Sequence, residues 1–125
     1  MTEKCLLYIE VFDNFWIEFI NSLIHDQWFS LSETVHDSSE GLLKFTFKYI
    51  IRQGWRQPIT DAVGTLQIHD VISWSVNDSE KVDRYDFNKL KYDEHASVIH
   101  VTTGIPLQIS VSVKTFHLSA TLQRP

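Results

Sequence analysis

One cysteine, Cys5, is all that the 125 residues contain. An internal disulfide is therefore excluded, as is any zinc or iron–sulfur centre built from several thiolates. Beside Leu6 and Leu7, Cys5 reads as a small buried thiol rather than a nucleophile. Glycine and proline are scarce, four and three residues, which is unlike linker, collagenous or disordered chains. Long apolar runs are missing as well. The stretch from Cys5 to Ile9 is short, whereas spanning a bilayer takes roughly 20 apolar residues, so no membrane partner is expected. No Lys/Arg cluster exceeds two or three residues and the net charge is −5, which makes a phosphate-neutralising surface hard to build; nucleic acid is not an expected partner. The first residues lack a basic region, apolar core and small-residue cleavage site in succession, and a cytoplasmic location is expected.

What the chain does have is 43% apolar residues in a length suited to one domain, with clear periodicities. From Asn14 to Ile24, the residues Phe15, Trp16, Phe19, Ile20, Leu23 and Ile24 fall on one half of a helical wheel at about 100° per residue. Asn14, Glu18, Asn21 and Ser22 fall on the other. This predicts an amphipathic helix, capped by Asp13 and stapled by Phe12 against Ile17. A strand is expected over Lys4 to Val11. After the helix the period becomes two, with Phe29, Leu31, Glu33 and Val35 on one face; a polar turn from His36 to Gly41 leads into Leu43, Phe45, Phe47 and Tyr49, a hairpin. Arg52 to Gly64 shows no sustained period and reads as an irregular surface segment.

Thr65 to Val76 reads as one long strand with Asp70 interrupting its apolar row, which a bulge near His69 or a buried, partnered carboxylate would explain. Short strands hold Tyr85, Phe87, Leu90 and Tyr92. A strand pair follows, Ile99 and Val101 against Leu107 to Val113. Inward positions are odd up to Val113 and even from Phe116 to Leu122, which predicts a bulge at Lys114-Thr115 in a bent strand. The fold class is mainly β with one amphipathic N-terminal helix: a curved antiparallel sheet forming a sandwich or a partly open barrel, in a single domain over residues 1–125.

Chemistry-bearing patterns are few. His25-Asp26, His36-Asp37 and His69-Asp70 repeat a His-Asp step, but further His and Asp at helical spacing, which metal-dependent hydrolases of that signature carry, are lacking. Turn and helix-terminal roles are the simpler reading. His69, His100 and His117 fall on outward rows and, on neighbouring strands, would converge with Asp70 into a ligand surface. No nucleophile elbow or phosphate-binding glycine loop occurs, so no catalytic, cofactor-binding or metal residue is assigned and no cofactor is expected. Arg52-Gln53-Gly54-Trp55-Arg56 sets a Trp between two Arg, the types most enriched at binding hot spots. Arg52, Trp55 and Arg56 are the protein-binding candidates, with a Trp55 plug on the core as the competing reading.

Leu23-Ile24-His25-Asp26 leading into a hairpin, and Leu90-Lys91-Tyr92-Asp93 followed by paired strands to Leu122, resemble small uncharacterised bacterial β proteins, some grouped with the immunity proteins of polymorphic toxin systems. The resemblance implies a cytoplasmic protein that binds and neutralises a toxin without performing chemistry. An acidic compact domain suits steering towards a basic partner. The leading expectation is a non-catalytic protein-binding module with a protein partner, possible oligomers being left open. The alternatives are a small ligand-binding or metal-dependent enzyme using His69, Asp70, His100 and His117, and a structural subunit joined through a sheet edge.

Overall fold

A computed structural model describes the backbone of residues 5–52 and 59–124 and the side chains of 5–49 and 62–124. Over these residues the chain forms ten strands: β1 (Cys5–Val11), β2 (Trp28–Ser30), β3 (Val35–Asp37), β4 (Leu42–Arg52), β5 (Ile59–Ile68), β6 (Val71–Asn77), β7 (Arg84–Asp93), β8 (Val98–Thr103), β9 (Gln108–Val113) and β10 (Leu118–Gln123). A 3-10 turn at Asn14–Trp16 runs into the single α-helix, α1 (Ile17–Ile24). Every strand pair is antiparallel, and the order is β1-β10-β5-β4-β2-β7-β8-β9-β6 with β3 added to β4. The sheet is thus open, with β1 and β6 at its two ends, and mainly β as expected.

The sheet folds over because the chain changes halves twice at one corner. β5 ends at Ile68 and β6 starts at Val71, so the expected single strand from Thr65 to Val76 is in fact two strands on opposite halves. Asp70 is not buried: it is exposed and holds a left-handed backbone, φ 54°, a conformation that Asp tolerates because its short carboxylate bonds locally, and the nearby register shift falls beyond it, between Val71 and Ser73 in β6. The reversed parity near Lys114 has the same origin. β9 pairs with β6 and β8, whereas β10 pairs with β1 and β5, so Lys114 to His117 is a crossover and not a bulge within one strand. The two crossovers run side by side, tied by His69 N–H to His117 C=O at 2.9 Å and Lys114 N–H to Asp70 C=O at 2.8 Å. Strands that switch layers at bends are how sandwiches make corners.

Between the halves lies one core. Leu43, Phe45, Leu66, Ile68, Leu118 and Ala120 meet Tyr85, Phe87, Ile99, Ile109 and Val111, all essentially inaccessible. Phe29 at its centre stacks on Phe87 at 4.3 Å and meets the edge of Phe45 at 5.3 Å, offset and edge-to-face geometries that aromatic rings favour.

Four further expectations change. Leu31 to Glu33 leaves the strand as a 3-10 turn, because Asp83 draws the chain away: its carbonyl accepts from Leu31 N–H and its carboxylate from Ser32 N–H, each at 2.8 Å. Residues 59–64, read as irregular, are strand; Gly64 sits in register opposite Phe47, whose ring covers it. The short strands around Asn88 are one strand, β7, with a register shift between Phe87 and Lys89. Cys5, on the outermost strand, is exposed rather than buried.

Candidate functional site

The helix forms where the sequence places it, with Asp13 Oδ1 accepting from Phe15 N–H at 2.9 Å as the cap. Its orientation differs. Ile17, Ile20, Asn21, Leu23 and Ile24 are buried, while Phe15 is 76%, Trp16 50% and Phe19 56% exposed. The staple also fails: Phe12 is 65% exposed and stacks on His117, ring centres 4.2 Å apart.

Asn21 causes this rotation. On one flank β7 pairs with β2 through Arg84 to Asp86, and then β2 ends. The chain before β2 continues the pairing, Phe87 N–H to Gln27 C=O at 2.9 Å and Asp26 N–H to Phe87 C=O at 2.8 Å. Leu90 would be left with both backbone groups unmade. Asn21 supplies them: its Oδ1 accepts from Leu90 N–H at 2.7 Å and its Nδ2 donates to Leu90 C=O at 3.1 Å. A buried backbone group without a partner is costly, so the amide is drawn inward and the aromatic flank of the helix outward.

The exposed rings are joined. Phe15 meets Trp16 edge-on at 4.7 Å, and Trp16 stacks with Phe19 at 5.6 Å. An exposed cluster of large apolar groups on one element marks an interaction surface far more often than single scattered residues do. The signal was in the sequence: five of the twelve residues from Tyr8 to Phe19 are aromatic, against 13% overall, more than one buried face of so short a helix can hold.

Phe12 links this surface to the crossover corner, where the rings stack in the order Phe12, His117, His69. The two imidazoles lie 3.9 Å apart and nearly parallel. His117 Nε2 meets Glu10 Oε1 at 2.6 Å, and His69 Nε2 meets Ser119 Oγ at 2.8 Å. Ser119 Oγ also lies 3.4 Å from Gln67 Oε1. Ser119 is buried, so its hydroxyl is not presented to an incoming substrate. Burial, and then the neighbouring His117, hold the His69 imidazole below its ordinary value; the hydrogen bond from His117 holds the Glu10 carboxyl below its own.

These shifts have a definite sign. Below the ordinary imidazole value of 6.5, unfolded His69 takes up a proton that the folded chain refuses, so stability falls as pH drops from there to the lowered value. Glu10 acts further down: its contribution is present above the ordinary 4.5 and is lost as pH falls through the folded value. The urea midpoint should therefore fall as pH drops below about 6.5 and fall again below about 4.5. His69→Gln should flatten the upper part of that decline, and an unaltered slope in this variant would sever the link to His69.

The expected four-residue ligand surface is only partly assembled. His69 and His117 are in contact and Asp70 is adjacent, its carboxylate accepting from Thr115 Oγ1. His100 takes no part in the stack; it bonds Ser110 across β8 and β9 at 3.2 Å and lines a separate groove with Lys91, Thr102 and Pro106. Among the described residues no group of three or more His, Cys, Asp and Glu could hold a metal ion. The repeated His-Asp step has turn chemistry instead: Asp26 and Asp70 hold positive φ, and Asp37 caps its turn by accepting from Ser39 N–H at 3.0 Å. A second concavity of about 600 Å³ opens where β2 stops between β4 and β7, lined by Trp28, Glu33, Thr46, Val63 and Arg84 among others. Of the predicted protein-binding residues, Trp55 and Arg56 lie outside the described residues; Arg52 closes β4 in register with Ile59, its side chain likewise undescribed.

Among the described residues no helix is long and apolar enough to cross a membrane. No family model, curated protein or solved structure matches the chain.

Proposed function

We propose that this protein is a non-catalytic protein-binding module, of the partner-neutralising kind that the immunity-type resemblance implies, and that it docks through the outer face of α1. The observation that carries this reading is the joined, exposed trio Phe15, Trp16 and Phe19 on α1 and the 3-10 turn before it, with the inner face of α1 packed on β7, β1 and β10. Trp and other aromatic side chains give large contact area for little lost rotamer freedom, which is why they dominate interface hot spots. The burial of Ser119 and the separation of His100 favour binding over chemistry.

The test is capture from the source cell's lysate on immobilised protein, comparing wild type with Trp16→Ala, Phe15→Ser and Trp55→Ala. A stoichiometric partner should be held by wild type and lost from the first two variants. Both should melt with wild type, since truncating an exposed side chain changes stability by no more than about 0.5 kcal/mol. Loss from Trp55→Ala alone would move the docking surface to residues 52–58. Retention by all three would remove the aromatic face from the account.

A further inference from the structure

The charge around the aromatic face identifies the chemistry of its partner. From residue 5 to residue 43, which covers β1, α1, β2 and β3, the chain has no Lys or Arg and seven Asp or Glu; the other 86 residues carry all eleven cations and nine anions. Three carboxylates adjoin the rings: Glu10, bonded to the His117 on which Phe12 stacks; Asp13, capping Phe15; and Glu18, one helical turn from Phe15 and accepting from Asn21 Nδ2 at 3.3 Å. Among the described residues no Lys or Arg forms an ion pair with any of them. Lys91, on the strand that α1 packs against, lines the separate groove beside His100.

We infer that the α1 face takes a lysine- or arginine-rich amphipathic segment of another protein. This rests on the docking reading above and adds to it the character of the occupant. Aliphatic stems of Lys and Arg lie well on Phe15 and Phe19, their charged heads reach the carboxylates, and a cation over the indole of Trp16 gains from the ring quadrupole. A second copy of this face would set acid against acid, and an anionic lipid or nucleic-acid surface would be repelled in the same way.

The probe is a fluorescent amphipathic helix of Leu and Lys, about five turns or roughly 18 residues long, with a Leu/Glu peptide of the same pattern as its counterpart. Anisotropy is read at low ionic strength and at about 1 M salt, where the screening length falls to about 3 Å. The Leu/Lys peptide should bind at least about tenfold tighter than the Leu/Glu peptide, and high salt should erase the difference. The combined variant Glu10→Gln, Asp13→Asn, Glu18→Gln should abolish that preference. It keeps the acceptor for His117 and the helix cap, and a cooperative melt, lowered only by the lost Glu10 contribution, confirms its fold. Phe15→Ser with Phe19→Ser should lose binding of both peptides. Equal affinity for the two peptides, or a preference that survives the neutralised variant, overturns the cationic partner while leaving the docking face intact if the serine variant fails to bind. Binding that follows charge but ignores the serine substitutions overturns the docking face and this inference together, and binding of neither peptide overturns the inference.

Discussion

Replacing Asn21 with alanine should lower the unfolding free energy by about 3 kcal/mol, since a buried N–H and a buried C=O of Leu90 each lose their partner at about 1–3 kcal/mol apiece, offset where water enters. Ile20→Ala and Ile24→Ala, both fully buried, should cost a comparable amount, about 2–5 kcal/mol, but through the cavity left behind and not through a stranded polar group. Leu23→Ala removes more carbon but strands no polar group, and Ser22→Ala, on the exposed face, should stay within about 0.5 kcal/mol. Asn21→Asp separates the two bonds: its carboxylate still accepts from Leu90 N–H but faces Leu90 C=O with a second acceptor, so it should be no better than alanine. Denaturation measures the loss, and amide exchange at Leu90 locates it, because that amide should become the fastest exchanging of the β7 interior. A loss below about 0.5 kcal/mol for alanine would mean that the helix is held by its apolar contacts alone. The consequence reaches the proposed surface, for the clamp sets which flank of the helix faces outward. The alanine variant should therefore weaken partner binding although Asn21 touches no partner.

Most of the fold was legible because its signals are local. The Asp13 cap, the turn before Gly41 and the alternation of Leu43, Phe45 and Phe47 each act within a few residues, and each appears where the pattern puts it. What misled the reading was long-range. Asp70 and the parity change at Lys114 are each visible as an anomaly, for which a bulge, or at Asp70 a buried, partnered carboxylate, is the local explanation. Both come from one corner where two crossovers lie together, a pairing of residues 69 and 117 that periodicity along the chain cannot show. The helix was misoriented for the same reason. A wheel sorts residues by polarity and so puts Asn21 outside with Ser22, whereas the unpaired backbone of a strand 69 residues away puts it inside. Once Asn21 turns in, the aromatic flank must turn out, and α1 offers a candidate site beside the Trp55 segment, which lies outside the described residues.

The second large effect is expected at Gly64, where glycine is required by its neighbour and not by its own backbone. In β5 it pairs with Phe47 on one side and Leu122 on the other. A methyl group there would overlap three carbons of the Phe47 ring, the farthest of them 2.7 Å away. The ring cannot easily swing aside, because it is 3% exposed and packs edge-on against Phe87 at 6.0 Å. Overpacking of this kind costs about 1–3 kcal/mol. Backbone entropy acts in the opposite direction: alanine in a strand interior is favoured over glycine by about 0.5–1 kcal/mol, so without the clash Gly64→Ala would stabilise the protein. The sign of the measured change therefore decides between them, and a net loss of about 1 kcal/mol is expected. Phe47→Leu makes room, and in that background the same Gly64→Ala should cost markedly less, a coupling that a double-mutant cycle reads directly. Stabilisation by Gly64→Ala in the wild-type background would show instead that Phe47 yields, and that this part of the core is looser than its burial implies.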